Sequence, residues 1–382
     1  MKYIVNGRIM LPDGVISGRT LAFNRRIVGI ESSVPEGAEV CDAGGQWVVP
    51  GHIDLHCHGF GGMSASHGSY DELRDMSRAL LKTGVTAWLP TVMTLPWDRM
   101  EACFYAARWA MADSRKSGWR GAQVLGCHAE GPFINPKRKG AQDEAYILPP
   151  DIEKLRPWVD VVRLMTIAPE VQGALSFIRQ AKSLGVTLSM GHTDATYAQA
   201  RAGIDAGITH ATHLFNAMPP LNHREPGAAG AALADNRVYC ELIADTFHVS
   251  SQLYPLLSKL VARRLVLITD SIEVAGLPDG EYLQMGQRVI VEGIHCRFPD
   301  GTIAGSTLTM DRAIRNFARN SELTPWQLVN MATLHPARAI GIDDKKGALL
   351  PGRDADIIIA DSDFNVQKVF VCGTEMYERG QG

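Results

Sequence analysis

Paired cysteines are what this sequence most plainly lacks. Its seven cysteines (41, 57, 103, 127, 240, 296 and 372) are odd in number and scattered, with no Cys-x-x-Cys spacing. That excludes a disulfide framework and is the usage of a reducing compartment. Long apolar runs are missing too. No stretch reaches the ~18 apolar residues of a membrane span, and the opening Met-Lys-Tyr-Ile-Val-Asn-Gly has no apolar signal run. Charge of one sign is scarce: the net charge is −3, with no long run of either sign. This argues against a nucleic-acid or membrane-surface protein. There is no phosphate-cradling P-loop, no repeat and no low-complexity segment. The expectation is a cytoplasmic protein with no membrane and no nucleic-acid partner.

What is present is a large apolar fraction, 46% of 382 residues, with 21% charged. That length is long for one ordinary domain and typical of a barrel with additions. Residues 1–49 read as short strands broken by turns such as Asn6-Gly7 and Asn24-Arg25-Arg26. The stretches 356–360 and 366–371 have the same character, which suggests one small β domain built from both termini. The middle alternates. Candidate strands lie at 48–55, 84–90, 122–128, 161–168, 185–191, 207–213, 238–245 and 264–270. Helical patterns at 71–82, 97–115, 171–183, 196–205 and 250–262 fall between most of them, and 306–319 and 324–332 follow. Eight strand–helix alternations point to a closed parallel barrel. The stretch 214–237 reads as loop.

The chain is organised around residues 47–59, Trp-Val-Val-Pro-Gly-His-Ile-Asp-Leu-His-Cys-His-Gly. Side chains at i and i+2 of a strand share a face, so His56 and His58 can point at one spot while Cys57 points away. That spacing suits a metal-ligand pair; it also suits two surface histidines beside a turn. Other predicted strands end on similar residues: Glu130, His192, His213 and Asp270. In a parallel barrel these ends converge on the face that carries the active site. Imidazole and carboxylate donors suit Zn²⁺, Fe²⁺ or Mn²⁺. A divalent ion lowers the pKa of bound water and polarises a carbonyl. An aspartate such as Asp270 can take the proton of that water and return it to a leaving amine. His128 and His210 are left unassigned. Lys137-Arg138-Lys139 reads as a solvated face rather than a binding patch.

Eight stretches together carry a family resemblance: Pro50-Gly51-His52-Ile53-Asp54, His128-Ala129-Glu130-Gly131-Pro132, Gly191-His192-Thr193, Thr212-His213-Leu214-Phe215-Asn216-Ala217-Met218, Arg224-Glu225-Pro226-Gly227, Ile268-Thr269-Asp270, Gly305-Ser306-Thr307-Leu308-Thr309-Met310 and His335-Pro336-Ala337-Arg338. The sequence resembles the amidohydrolase superfamily and, within it, the N-acetylglucosamine-6-phosphate deacetylases. The resemblance implies a (β/α)₈ barrel, residues 51–344, with a small β-sandwich from 1–50 and 345–382. It implies a homodimer and hydrolysis of the N-acetyl group of an amino-sugar 6-phosphate. By matching position, Glu130, His192 and His213 would bind the main metal, and Asp270 would be general base and acid. His56 and His58 match a pair that supports a second metal in some members. One or two ions are implied: zinc foremost, with iron, manganese or cobalt open. Asn216, Ala217, Arg224 and His248 match sugar-phosphate contacts, with Arg224 reaching the neighbouring subunit's ligand. Ala141 and Gln142 lie on the loop after Glu130, and Ile303, Ala304 and Gly305 would line the sugar pocket.

One departure bears on the substrate. That loop usually carries histidine after Lys-Gly-x, and here Lys139-Gly140-Ala141 leads to Gln142. Glutamine donates a neutral hydrogen bond but cannot shuttle a proton. Phe247 is also bulkier than the family's usual residue. N-acetylgalactosamine 6-phosphate or another N-acyl compound is therefore an alternative substrate. A metal- or sugar-phosphate-binding protein without turnover is a further alternative, against which Asp270 speaks.

Overall fold

The apolar runs of the middle of the chain form a ring of parallel strands. A computed structural model describes residues 1–284 and 286–380. In chain order the barrel strands are His52–Cys57, Val85–Val92, Cys127–Glu130 (preceded by Gln123–Val124), Val162–Ile167, Thr187–Met190, His210–Ala211, Tyr239–Ile243 and Leu265–Ile268. Each pairs in parallel with the next. The eighth returns to the first just past its end: Asp270 N donates to His56 O at 2.8 Å, and His58 N to Ser271 O at 2.8 Å. Side chains reinforce this seam. Thr269 Oγ1 donates to Asp54 Oδ2 at 2.6 Å, and His56 N to Asp54 Oδ1 at 3.2 Å. Burial pushes the Asp54 carboxyl up to about 6 even so.

The predicted strand at 48–55 is two strands. Trp47–Pro50 belongs to a sheet outside the barrel, and His52–Cys57 begins the barrel. Gly51 makes the crossing, where a Cβ would stand 2.1 Å from Thr86 Oγ1. Only glycine passes the second strand at that distance.

Outside the barrel, strands from both ends share a six-stranded sheet, ordered Thr374–Glu378, Val366–Val371, Ile357–Ala360, Trp47–Pro50, Arg8–Leu11 and Gly14–Ile16. A four-stranded sheet, Ile27–Glu31, Thr20–Phe23, Lys2–Val5 and Glu39–Asp42, faces it. Ile4, Leu21, Phe23, Val48, Ile357 and Phe370 fill the space between them. Strands alternate inward and outward residues, so each sheet gives one face to this core.

The predicted helices fall close to their places: Tyr70–Leu80, Trp97–Asp113, Ala174–Ser183, Tyr197–Ala206, Tyr254–Val261, Met310–Arg319 and Pro325–Asn330. Ser69 caps the first, and Thr196 with Gln199 makes a reciprocal cap on the fourth. Residues 214–237 are not all loop, because Gly227–Ala234 is a helix. Its sequence Gly-Ala-Ala-Gly-Ala-Ala-Leu-Ala is small and buried almost all round, so no amphipathic period marks it. A three-stranded antiparallel sheet, Gly280–Gln284, Gln287–Glu292 and His295–Arg297, was not foreseen. It has its own apolar cluster, including Val274, Val289, Val291 and Cys296. Among the described residues no helix is long and apolar enough to cross a membrane, and all seven cysteines are free.

Candidate active site

The C-terminal strand ends bring the separated donors together. His56 lies inside the first strand, and Glu130 is the last residue of the third. His192, His213 and Asp270 each stand two residues past a strand end. All three sit in the left-handed region, at φ 46°, 32° and 48°. Each such residue costs of order 1–3 kcal/mol, and such conformations persist where the surroundings enforce them. The turn swings each side chain inward over the barrel mouth.

Two donor sets share one carboxylate. Glu130 Oε1 is 3.2 Å from His192 Nε2 and 3.1 Å from His213 Nε2, which are 3.1 Å apart. On the other side, His56 Nε2 is 3.2 Å from Glu130 Oε1, and His58 Nε2 is 3.4 Å from Glu130 Oε2. The two Nε2 atoms of His56 and His58 are 3.1 Å apart. Asp270 Oδ1 lies 3.3 Å from His56 Nε2 and 3.2 Å from His58 Nε2.

The outer nitrogens fix the tautomers. His58 Nδ1 faces Thr91 O at 3.1 Å, and His192 Nδ1 faces Arg138 O at 2.8 Å. His56 Nδ1 faces Glu241 Oε2 at 3.2 Å. Each of these three Nδ1 atoms therefore donates outward and turns the Nε2 lone pair of its ring inward, whereas His213 Nδ1 is buried without a partner. Lone pairs 3.1 Å apart in a buried site repel unless a proton or a cation stands between them. Donor atoms held tetrahedrally about 2.0–2.1 Å from a zinc ion stand about 3.3 Å from one another. The observed spacing and donor types therefore fit a divalent ion at each set.

Electrostatics agree. Burial alone would depress His56 and His58, but Asp270 and Glu130 outweigh it, holding His56 well above its ordinary value and His58 at about 9. Burial would raise Glu130, but the imidazoles of His192 and His56 hold it well below the usual carboxylate range. The site attracts positive charge, and His56 and His58 carry protons until a metal displaces them.

Above the donors is a cavity of about 430 Å³. The residues expected to contact substrate line it: Ala141, Gln142, Asn216, Ala217, His248, Ile303, Ala304 and Gly305. Asp270, His58, Glu130, His192 and His213 form its floor. Arg224 does not join them; it is exposed and outside this lining. Gln142 is buried, and Thr94 N donates to its Oε1 at 2.8 Å. That turns its Nε2 onto Glu130 Oε2 at 3.0 Å. Asp245 aims His248 by accepting its backbone N–H at 2.8 Å and facing its Nδ1 at 2.6 Å. Phe247 stands behind, under Arg297 and edge-on to His295.

Sequence reasoning missed some residues. Lys137 and Arg138, read as a solvated face, also line the cavity and are held by Asp194 at 3.7 and 2.9 Å. Glu241 lies within the otherwise apolar strand Tyr239–Ile243. Its signal was a lone carboxylate in Tyr-Cys-Glu-Leu-Ile.

The chain is similar to known proteins over nearly its whole length. Residues 47–376 match the amidohydrolase family. The N-acetylgalactosamine-6-phosphate deacetylase of Escherichia coli O157:H7 is 36% identical over 370 residues, covering 96% of this chain and 97% of that one. The N-acetylglucosamine-6-phosphate deacetylase of Bacillus subtilis (strain 168) is 37% identical over 373 residues, covering 95% and 91%. The crystal structure of N-acetylglucosamine-6-phosphate deacetylase from Pasteurella multocida superposes with a TM-score of 0.92 at 30% identity, covering 98% and 99%. A mutant of the Mycobacterium smegmatis enzyme, in complex with N-acetyl-D-glucosamine-6-phosphate, gives 0.89 at 33% identity, covering 98% and 99%.

Proposed function

The chain belongs to the amidohydrolase family, and we propose that it is a metal-dependent deacetylase of N-acetylglucosamine 6-phosphate, releasing acetate and glucosamine 6-phosphate. The observation that carries this reading is the meeting of Glu130, His192 and His213 within 3.1–3.2 Å, beside Asp270, at the floor of one cavity. Relatives of that activity span nearly the whole chain.

Glu130, His192 and His213 would hold the main divalent ion, zinc by donor type, and His56 and His58 with Glu130 a second. Such an ion, when bound, activates water and polarises the acyl oxygen. The chain's own groups do the rest. Asp270 takes a proton from the attacking water at a carboxylate oxygen. It then gives that proton to the departing nitrogen as the C–N bond breaks, because an amine leaves poorly unprotonated. Gln142, held by Thr94 N at its Oε1, donates from Nε2 to Glu130 Oε2 and would offer its second N–H to the acyl group. Asn216, Ala217 and His248 would contact the sugar phosphate, with Ala141 and the 303–305 segment closing on the sugar. Arg224, exposed and outside its own cavity, is available to a neighbouring copy. We read the working form as a homodimer in which Arg224 reaches the neighbour's phosphate. Seven free cysteines favour the cytoplasm.

The galacto epimer is the second reading, favoured by the Escherichia coli O157:H7 relative. Acetate release is measured on both N-acetylated 6-phosphates and on unphosphorylated N-acetylglucosamine. The expected order is gluco phosphate first and the unphosphorylated sugar last. A faster galacto phosphate moves the assignment to the epimer. Equal rates on phosphorylated and free sugar remove the phosphate contacts from the account.

A further inference from the structure

Strand seven of the barrel carries a glutamate that the chemistry above does not use. Glu241 has no exposed surface. Its Oε2 faces His56 Nδ1 at 3.2 Å and accepts the backbone N–H of His213 at 3.3 Å. Its backbone carbonyl accepts the next N–H, that of Leu214, at 2.8 Å. One residue thus grips the left-handed corner that presents His213 and also orients the ring of His56. These two histidines belong to different donor sets.

The remaining oxygen, Oε1, has no hydrogen-bond partner. Among the described residues no lysine or arginine forms an ion pair with Glu241. A buried carboxylate with an unpartnered oxygen is costly unless positive charge lies close by. His56 is the group it touches, and a cation on the far nitrogen of that ring supplies such a charge. Carboxylates behind metal-bound imidazoles make the ring a stronger donor and hold its orientation.

We propose that Glu241 is the positioning residue on which ion binding at the His56–His58–Glu130 set depends, and that it ties this set to the His213 corner of the other. The inference rests on the reading that both sets bind an ion. Glu241→Gln keeps an acceptor oxygen for His56 and His213 and removes the charge. Glu241→Ala removes both.

The experiment titrates Co²⁺ into metal-stripped wild type and both variants, following the visible absorption of the ion and metal content after dialysis. Wild type is expected to bind two ions. In Glu241→Gln the ion of the His56 set weakens about 10–100-fold, while the other changes less than about threefold. In Glu241→Ala both weaken. Circular dichroism checks that each variant folds, and Glu241→Gln decides the matter if Glu241→Ala does not. Two ions bound at wild-type affinity in Glu241→Gln overturn the inference, as does weakening confined to the Glu130–His192–His213 set. Wild type binding a single ion overturns the two-ion reading itself, before any variant is compared.

Discussion

Replacing Asp270 by asparagine isolates the proton-transfer step from the rest of the site. The substitution suits this backbone. Residue 270 sits at φ 48°, a region that asparagine adopts more readily than most residues. The backbone bonds from Asp270 N to His56 O and from Ser306 N to Asp270 O do not involve the side chain. The carboxylate's near contacts are His56 and His58, at 3.3 and 3.2 Å, so the Glu130–His192–His213 set keeps its three donors. Asparagine cannot accept and return a proton. Loss of a positioned acid/base group costs about 10²–10⁴ in rate, which is about 2.7–5.4 kcal/mol of barrier. The expected variant folds with a near wild-type melting temperature, holds the main ion, and loses kcat by that factor with a smaller change in KM. The assay pairs acetate release with metal content of the same preparation. A kcat within about threefold of wild type, at equal metal content, refutes the role. A fall in kcat that follows metal loss reassigns Asp270 to metal retention.

Three further outcomes follow from the structure. With His58 held at about 9 and His56 well above its ordinary value, both imidazoles of the metal-free chain carry protons at pH 7. Metal loading of that set should release about two protons at pH 7, and affinity should rise with pH until it nears 9, where His58 gives up its proton. Calorimetry in two buffers of different ionisation enthalpy counts those protons, and release of none contradicts the geometry. In the metal-free chain the sign of the raised pKa means His58 stabilises the fold fully below 6.5, a contribution lost as pH rises through about 9. At the barrel seam, Thr269→Val leaves Asp54 Oδ2 without the hydroxyl that donates at 2.6 Å. It should cost about 1–3 kcal/mol in urea unfolding, and an unchanged midpoint rules the seam contact unimportant.

The parts of the fold legible in the sequence were those with a strong period. The barrel strands are apolar runs bounded by glycine and turns, and helices such as Tyr70–Leu80 and Met310–Arg319 carry an apolar stripe, so both gave signals that tertiary packing did not overturn. The failures have physical reasons. The break at Gly51 is invisible because apolar residues continue on both sides of it, and only the approach of Thr86 demands it. Helix Gly227–Ala234 is made of small residues buried nearly all round and offers no stripe to read. The sheet at 280–297 packs on its own small cluster, outside the alternation that defined the barrel.

Much of the site was legible for a different reason. A parallel barrel sends every strand end to one face, so chemistry-bearing residues at those ends need no further argument to be neighbours. Residue type and topology brought Glu130, His192, His213, His56 and His58 to one cavity; their division into two adjoining donor groups came from the family resemblance. What stayed hidden was orientation. His192, His213 and Asp270 reach the centre because the corners after strands five, six and eight hold left-handed backbone, a cost of order 1–3 kcal/mol each. Nothing in a histidine or aspartate codon announces that strain. The structure restrains it from behind: Asn135 N donates to His192 O, Glu241 accepts the N–H groups of His213 and Leu214, and His56 O accepts that of Asp270. Such restraints come from residues whose own sequence context is ordinary, a glutamate in an apolar strand among them. Donor identity is thus written locally in this chain, whereas donor aim is set by contacts between strands far apart in sequence.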